Sequence, residues 1–208
     1  MSSVGRTVTN NTGAVTTAGT ALFGTNSFRF NNSTATYITS PDSDDFSFGA
    51  GDATIEVFIR WNTTVPTNVE SLFGTGLTGG TQPKMNFLAN ANPSTFVYQA
   101  NKLGNNIVQG GTGGKDLSAN FTWAPDTWYH IAWVRQGTSQ TFYVNGTSIG
   151  TNTLFPTTAP NASSDFRWGT DGEAYQAFSG DMDEMRITKG VARYTSNFTA
   201  PTEPYPTS

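Results

Sequence analysis

The sequence Asp181-Met-Asp-Glu is the nearest approach in this chain to a set of catalytic carboxylates. Hydrolysis of a glycoside needs a general acid and a second carboxyl group, about 5–5.5 Å apart in a retaining mechanism. On a strand, Asp181 and Asp183 share one face while Glu184 points to the other, and no third acid follows in register. The pattern favours a structural role, in which Asp183 or Glu184 accepts hydrogen bonds or pairs with a cation. The candidate cations are Arg186 and Arg135.

His130 is the only histidine, and the chain contains no cysteine. A Ser-His-Asp triad would have to use His130 as its base, within hydrogen-bond reach of a nucleophile. His130 lies in the most hydrophobic stretch of the chain, which instead predicts a packed strand histidine. This composition also excludes disulfides and a zinc site of ordinary ligands.

Acidic turns supply the hard oxygen ligands that calcium prefers. The segment Asp42-Ser-Asp-Asp begins like an EF-hand loop, but Ser47 stands in the glycine position and Ala53 in the position of the bidentate glutamate, so that interpretation fails. A calcium site at the rim of the domain stays open beside the alternative of solvated acidic turns without metal. The candidate ligands are Asp42, Asp44 and Asp45, or Asp171 with Glu173. We expect no cofactor other than calcium.

A sugar ring presents an apolar C–H face and several hydroxyl groups, so its binding site combines an exposed aromatic ring with polar side chains. Two stretches of the chain place such residues side by side. The candidates are Tyr98 with Gln99 and Asn101, and Trp168 or Tyr175 with Asp171, Glu173 and Gln176. Most of the 27 aromatic residues must nevertheless form the core.

The composition limits the class of protein that can carry these residues. The 208 residues are 36% hydrophobic and 12% charged, with Gly, Thr and Asn throughout, which favours many short strands joined by turns. A net charge of -4 and the absence of any basic run argue against nucleic-acid binding. With no apolar stretch near 20 residues and no apolar block near Met1, we expect neither membrane insertion nor a signal peptide.

Alternating patterns and turn residues predict the strands. Alternation along residues 53–61 places Ile55, Val57 and Ile59 on the face toward the core and Glu56 on the opposite face. We expect an opening hairpin from the first two strands and a short helical turn at 191–194. The predicted strands are 27–30, 36–39, 53–61, 70–73, 84–88, 95–99, 106–109, 165–169 and 177–189, with a meander over 127–149.

Within the meander, residues 127–135 form a nearly continuous apolar run, which predicts a strand that is covered on both faces. Asn145-Gly146 is a strong hairpin signal, because both residues tolerate positive φ. After the last strand, the prolines of 201–206 predict an extended tail.

Three segments, at 53–61 with the preceding Gly51-Asp52, at 128–146 and at 180–189, together resemble the laminin-G-like jelly-roll family of the concanavalin-A-like lectin and glucanase superfamily. The resemblance covers residues 20–206, and the ending at 183–199 is similar to the version found in bacteriophage structural proteins. It implies an all-β fold, a two-sheet antiparallel β-sandwich. Members of this family include glycan-binding modules, adhesion domains, enzymes and structural virion domains, so the fold alone does not decide the function.

On this basis we expect an N-terminal arm or edge strand at 1–20, a laminin-G-like jelly-roll domain at 21–200 and a Pro-rich C-terminal tail at 201–208. The expected function is that of a non-enzymatic phage virion protein, made in the host cytoplasm, which decorates a capsid or tail or serves in adhesion. Its expected partners are other virion proteins, contacted through the arm and the tail, cell-surface or environmental glycans, and further copies of itself. The alternatives are a free carbohydrate-binding module and a glycan hydrolase or lyase.

Overall fold

The computed structural model describes residues 9–11, 15–16, 21–62, 64–65, 67–75, 84–92, 97–108, 116–153, 161, 164–171 and 176–206. These residues form strands and turns, with one turn of 3-10 helix at Asp44–Phe46. No helix in the described part of the chain is long and apolar enough to cross a membrane.

The strands form two antiparallel sheets. They are β1 (Thr9–Asn11), β2 (Val15–Thr16), β3 (Phe28–Asn31), β4 (Tyr37–Ser40), β5 (Ala53–Trp61), β6 (Glu70–Thr75), β7 (Lys84–Asn92), β8 (Val97–Val108), β9 (Leu117–Asn120), β10 (Trp128–Gln136), β11 (Ser139–Val144), β12 (Thr147–Asn152), β13 (Phe166–Trp168) and β14 (Ser179–Lys189). Sheet A has the strand order β1-β4-β13-β6-β7-β8-β9, and sheet B has the order β12-β11-β10-β5-β14-β3-β2. The predicted all-β sandwich is confirmed.

The core lies between the two sheets and is built from the inward-facing side chains of their central strands. In sheet B, the predicted core face of β5 is confirmed, because Ile55, Val57 and Ile59 are fully buried. In sheet A, Phe73 stacks on Phe87 with ring centroids 4.4 Å apart. Each buried aromatic side chain removes roughly 150–250 Å² from water, so this aromatic core supplies much of the drive to fold.

The predicted opening hairpin is wrong. β3 lies in sheet B and β4 in sheet A, so the turn between them carries the chain from one sheet to the other. The turn is held by Thr36, whose backbone N–H donates to the Ser33 carbonyl and whose hydroxyl donates to Asn31 Oδ1. Crossing over lets Phe30 and Ile38 both point into the core, each from its own sheet.

Two other local predictions also change. Strand β8 is continuous over Val97–Val108, where two short strands were predicted, because it pairs with β7 along most of its length. Asn101 interrupts the ideal backbone of β8 with a φ of 58° but does not end the strand. The expected helical turn at 191–194 is absent, and this stretch has no regular secondary structure.

The meander β10–β11–β12 is confirmed, including its hairpin at Asn145-Gly146. Both residues have positive φ, 49° and 78°. Gly146 has a second role, since a Cβ atom there would overlap the carbonyl of Phe198. The backbone N–H of Phe198 donates to the Gly146 carbonyl at 2.9 Å. The hairpin therefore docks the chain that follows β14.

The outer face of sheet B is covered by residues 191–206, which we call the C-terminal strap. The side chains of Tyr194 and Phe198 pack on Val134 and Tyr143 and form a second, smaller apolar cluster. Strand β10 is buried on both faces, as predicted. The outer face of β5 is also mostly buried, which its alternating pattern did not predict.

The strap packs on its own domain, and the expected contact of the Pro-rich tail with other virion proteins stays a prediction. Up to Pro206 the chain lies along its own domain, and the Tyr205 backbone N–H donates to Glu184. At the N-terminal end, β1 and β2 occupy the edges of sheet A and sheet B, beside β4 and β3. The described parts of residues 1–20 thus pair with both sheets.

Glu70 places a carboxyl group inside the sandwich. One of its oxygens accepts hydrogen bonds from the Trp61 indole at 2.9 Å and the Ser179 backbone at 3.1 Å. Burial raises the pKa of Glu70 to about 8, and these two hydrogen bonds offset only part of that effect. Glu70 therefore keeps its proton to a higher pH than an ordinary carboxyl group does.

Glu70→Gln is expected to stabilise the protein in alkaline solution. A raised native pKa contributes stability below the ordinary carboxyl pKa of 4.5, and this contribution is lost as the pH rises through about 8. The amide cannot ionise, so the variant should keep that stability, at about 1.4 kcal/mol for each unit of pKa difference. Chemical denaturation at pH 5 and pH 9 measures the change, with exposed Glu203→Gln as the control. Equal pH dependence in Glu70→Gln and the unsubstituted protein would contradict this assignment.

Candidate functional site

The carboxylates of the Asp181-Met-Asp-Glu sequence are engaged in structural contacts. Asp181 is fully buried and pairs with Arg29 and Arg60, both at 2.9 Å. The hydrogen bond to Asp181 raises the pKa of Arg29, although burial opposes this. With both oxygens held by cations, Asp181 is unsuited to act as a general acid.

Asp183 and Glu184 accept hydrogen bonds, as predicted. Asp183 Oδ2 accepts from the backbone N–H groups of Leu22 and Phe23, at 3.0 and 3.2 Å. Glu184 Oε2 accepts from the backbone N–H of Tyr205. These two carboxylates therefore hold the chain before β3 and the C-terminal strap against sheet B.

The two predicted cation partners lie elsewhere. Arg186 pairs with Glu56 at 2.7 Å, and Arg135 donates to the carbonyl groups of Gly137 and Gly49. Arg186 is close to Asp183 and Glu184 in sequence and Arg135 carries the complementary charge, but neither property fixes a pairing. Register decided the pairing, because β14 aligns Arg186 with Glu56 on β5.

His130 is fully buried, as the sequence predicted. Its Nε2 lies 3.1 Å from Glu56 Oε2 and 3.1 Å from the Tyr205 hydroxyl. Neither contact is a serine or threonine, and the C-terminal strap covers the ring. This geometry offers no nucleophile for a triad.

Glu56 is the centre of a buried polar cluster beneath the strap. Besides His130 and Arg186, it accepts hydrogen bonds from the hydroxyl groups of Tyr194 at 2.8 Å and Tyr205 at 3.2 Å. Burial alone would raise the pKa of Glu56, but the contacts with His130, Arg186 and Tyr194 outweigh it and lower that pKa. Burial and the negative charge of Glu56 raise the pKa of both tyrosines. The cluster fastens the strap to sheet B.

Trp168, a predicted sugar platform, faces the core instead. Its side chain is 8% exposed and packs against Phe73 and Phe166, with ring centroids 4.9 and 5.2 Å apart. A buried ring cannot stack on a sugar, so this prediction is wrong. Strand alternation gives the reason, since Arg167 takes the outward position of β13.

The other predicted sugar ligands are not brought together in the described part of the chain. Asp171 is fully buried, and its Oδ1 accepts from the Gln176 backbone at 3.5 Å. Asn101 is exposed on β8. Tyr98 and Gln99 lie in the same strand, but their side chains are outside the description, as are residues Glu173 and Tyr175 entirely. These four stay predictions.

The candidate calcium ligands Asp42, Asp44 and Asp45 lie around the 3-10 turn. Asp44 and Asp45 are within it, and the Ser43 hydroxyl accepts from the Asp45 backbone at its start. Among the described residues, no three His, Cys, Asp or Glu side chains form a group that could hold a metal ion. The turn is thus built by local hydrogen bonds.

A groove of about 280 Å³ lies between the strap and the outer face of β10, β11 and β12. It is lined by Val134, Gln136, Ser139, Thr141, Tyr143, Ser148, Thr151, Tyr194, Thr195 and Ser196. Strand alternation places Thr141 and Tyr143 on this face, opposite the core residue Phe142. The meander forms the floor, and Tyr194, Thr195 and Ser196 of the strap form one wall.

The groove is polar but carries no charge on its lining side chains. Six of them are serine or threonine, which can both donate and accept hydrogen bonds. Thr141 and Thr151 meet across the strand pair with their hydroxyl oxygens 3.0 Å apart, and the Tyr143 hydroxyl donates to the Tyr194 carbonyl at 3.4 Å. Burial raises the pKa of Tyr143, so that hydroxyl stays a donor. Such a lining suits a neutral, hydroxyl-rich ligand.

The sequence analysis missed this groove. Alternation within the meander would have placed Thr141 and Tyr143 on a shared outer face. The wall at Tyr194–Ser196 has no local signal, because it comes from a segment about 50 residues further along the chain, as in the 51-residue separation of Tyr143 and Tyr194.

Comparison with known proteins places this fold in context. Residues 32–193 match the Laminin_G_3 family model, described as the Concanavalin A-like lectin/glucanases superfamily. No curated protein matches the sequence.

Several solved structures share the fold at low sequence identity. The binding domain of Paraclostridial Mosquitocidal Protein 1 aligns with a TM-score of 0.66 and 14% identity, over 89% of this chain and 45% of that one. Domain 4 of AbnA, an extracellular GH43 arabinanase from Geobacillus stearothermophilus solved with arabinotriose, aligns with a TM-score of 0.60 and 16% identity, over 88% and 82%. A carbohydrate binding protein from Bacteroides ovatus, so described provisionally, gives 0.59 and 20%, over 81% and 44%. This chain thus spans less than half of the toxin domain.

Proposed function

This chain belongs to the concanavalin A-like lectin/glucanase superfamily, and from that premise we propose that it is a non-enzymatic glycan-binding domain. The observation that carries the proposal is the uncharged, hydroxyl-lined groove between the strap and the meander. A neutral saccharide presents hydroxyl groups that match such a lining, and the groove lies below the roughly 300–1,000 Å³ of drug-sized pockets, so it fits one small unit such as a single sugar ring.

Two further observations support this function. The carboxylates that would serve a hydrolase, Asp181, Asp183 and Glu56, are held by arginines, backbone N–H groups and tyrosines. Domain 4 of AbnA, which has a similar fold, was solved in complex with arabinotriose. Arabinotriose is a neutral saccharide. Binding without catalysis is the function that accounts for both.

The double variant Thr141→Val and Ser148→Ala is expected to weaken binding of neutral oligosaccharides about tenfold, because each lost hydrogen bond contributes about 0.5–1.5 kcal/mol. A glycan array identifies the ligand, and titration calorimetry then measures both proteins. Ser118→Ala removes an exposed hydroxyl from β9 of the other sheet and is the matched control. Unchanged affinity in the double variant would exclude the groove, and an array without any ligand would exclude glycan binding.

We further propose that the domain works on a bacteriophage particle, as a decoration or adhesion protein of the capsid or tail. The proposal rests on the resemblance of the ending at 183–199 to phage structural proteins. Its partners would then be other virion proteins and the glycans of host cells or their surroundings. Mass spectrometry of purified particles tests this location, and absence of the chain from the particles would rule it out.

A further inference from the structure

Arg167 is a cation on the outer face of sheet A that has no anionic partner among the described residues. Its Nε is buried and has no hydrogen-bond partner in the structure, and no carboxylate of the described residues pairs with its guanidinium. A buried donor without a partner costs free energy, on the scale of a lost hydrogen bond. By contrast, the described arginines of sheet B donate to carboxylates or carbonyl groups, as Arg29 and Arg60 do.

The neighbours of Arg167 restrain its side chain. Its guanidinium carbon lies 4.7 Å from the centroid of the Tyr37 ring, which restrains the group by a cation–π contact. In register, Arg167 faces Thr39 on β4 and Gly74 on β6. Gly74 has no side chain, so β6 places no side chain beside Arg167 at this register position.

The nearest acid in sequence does not neutralise Arg167. Asp165 lies directly before β13, two residues from Arg167, and accepts hydrogen bonds from the Thr39 hydroxyl at 3.2 Å and the Asp42 backbone at 3.3 Å. Its carboxylate is thereby turned toward β4 and the acidic turn. No carboxylate of the described residues therefore takes up the terminal Nη donors of the guanidinium.

We propose that Arg167, held by Tyr37, is a binding site for the carboxylate of an acidic saccharide on the outer face of sheet A. Guanidinium and carboxylate are planar and match each other with two parallel hydrogen bonds, which makes this the favoured anion. The saccharide part of the ligand rests on the proposed glycan-binding function. The site lies on the sheet opposite to the groove, so the two can be tested separately.

The test follows the Arg167 side-chain Nε–H resonance by NMR of the labelled full-length protein during titration with glucuronate, glucose or acetate. We expect glucuronate to move this resonance, glucose to leave it unchanged and acetate to bind more weakly than glucuronate. Arg167→Gln should weaken glucuronate binding at least about tenfold, since it removes a charge-assisted pair. Arg167→Lys should fall between, because it keeps the charge and loses the fork.

Lys102→Gln is the matched control, since it removes a positive charge from the same face of sheet A and should leave the titration unchanged. An unmoved resonance with glucuronate, or equal effects of Arg167→Gln and Lys102→Gln, would overturn the site. Acetate binding as tightly as glucuronate would overturn the saccharide part. If neutral glycans still bind the groove of Arg167→Gln, the proposed glycan-binding function holds independently of the Arg167 site. If no glycan binds the groove while glucuronate still moves the Arg167 resonance, the Arg167 site holds and the proposed function fails.

Discussion

Removal of the C-terminal strap, by ending the chain at Gly190, is expected to leave a domain that is largely unfolded or aggregated at 37 °C. The strap buries Val134 and Tyr143 of sheet B beneath Tyr194 and Phe198. Each large apolar side chain contributes about 1.5–3 kcal/mol when it is buried, while whole domains are stable by only about 5–15 kcal/mol. Truncation therefore removes a large part of the total and exposes an apolar patch on a sheet.

The truncated protein is compared with the full chain by thermal unfolding and by size-exclusion chromatography. Phe198→Ala provides a milder variant, with an expected loss of about 2–4 kcal/mol, because the ring stacks on Tyr194 at 3.5 Å and packs on Tyr143. Exposed Thr202→Ala in the same strap is the control. A monomeric truncated protein with an unchanged Tm would show that the strap is dispensable.

Glu56→Ala is expected to destabilise the protein by about 3–5 kcal/mol, because it leaves buried His130 and partly buried Arg186 without their shared partner. The same substitution removes the acceptor of the Tyr194 and Tyr205 hydroxyl groups. The strap should then be held more loosely, so limited proteolysis should cleave it in Glu56→Ala before it cleaves the rest of the domain.

The pH dependence distinguishes this role from simple packing. Because the native pKa of Glu56 is lowered, its contribution is present above the ordinary carboxyl pKa of 4.5 and is lost as the pH falls through the native value. The unsubstituted protein should therefore lose stability in acid more steeply than Glu56→Ala does. Exposed Glu203→Gln serves as the control in denaturation from pH 7 to pH 3. If the stability of Glu56→Ala and that of the unsubstituted protein fall by the same amount between pH 7 and pH 3, the cluster as described is contradicted.

The two predictions share one physical basis. Tyr205 contacts His130 and Glu56 at once, so strap and cluster stabilise each other. In a double-mutant cycle, the losses of stability in the single variants Glu56→Ala and Tyr205→Phe should add up to more than the loss in the double variant. This coupling also matters for binding, because Tyr194 joins the cluster on one side and lines the groove on the other.

The carboxylates and the histidine that invited an enzymatic interpretation are the residues that hold the strap and the chain before β3. Asp183 holds the backbone of Leu22 and Phe23, and Glu184 holds that of Tyr205. Their sequence resembles a catalytic set because catalytic carboxylates and structural carboxylates can have the same spacing along a strand. The contacts, rather than the spacing, separate the two uses.

Local pattern predicted most of the long strands, and the resemblance to the jelly-roll family implied the fold class. Ile55, Val57 and Ile59 alternate along one strand, and Asn145-Gly146 requires a tight hairpin, so the physical information lies within a few neighbouring residues. Packing of His130 could also be predicted, because the apolar run around it was continuous. Errors arose where the chain crossed between sheets, as at the turn from β3 to β4, since either path has the same local pattern.

By itself, the sequence determined an all-β sandwich with a core face on β5 and a doubly covered β10. Only the tertiary structure decided what covers them. Glu56 meets His130 across 74 residues and Tyr205 across 149, and the groove joins the meander to the strap in the same way. Alternation tells which way a side chain points, but it carries no information about which distant segment will pack there. For that reason the outer face of sheet B was not recognised as closed. Trp168 was mistaken for a surface ring for another reason, since alternation within β13 already points it toward the core.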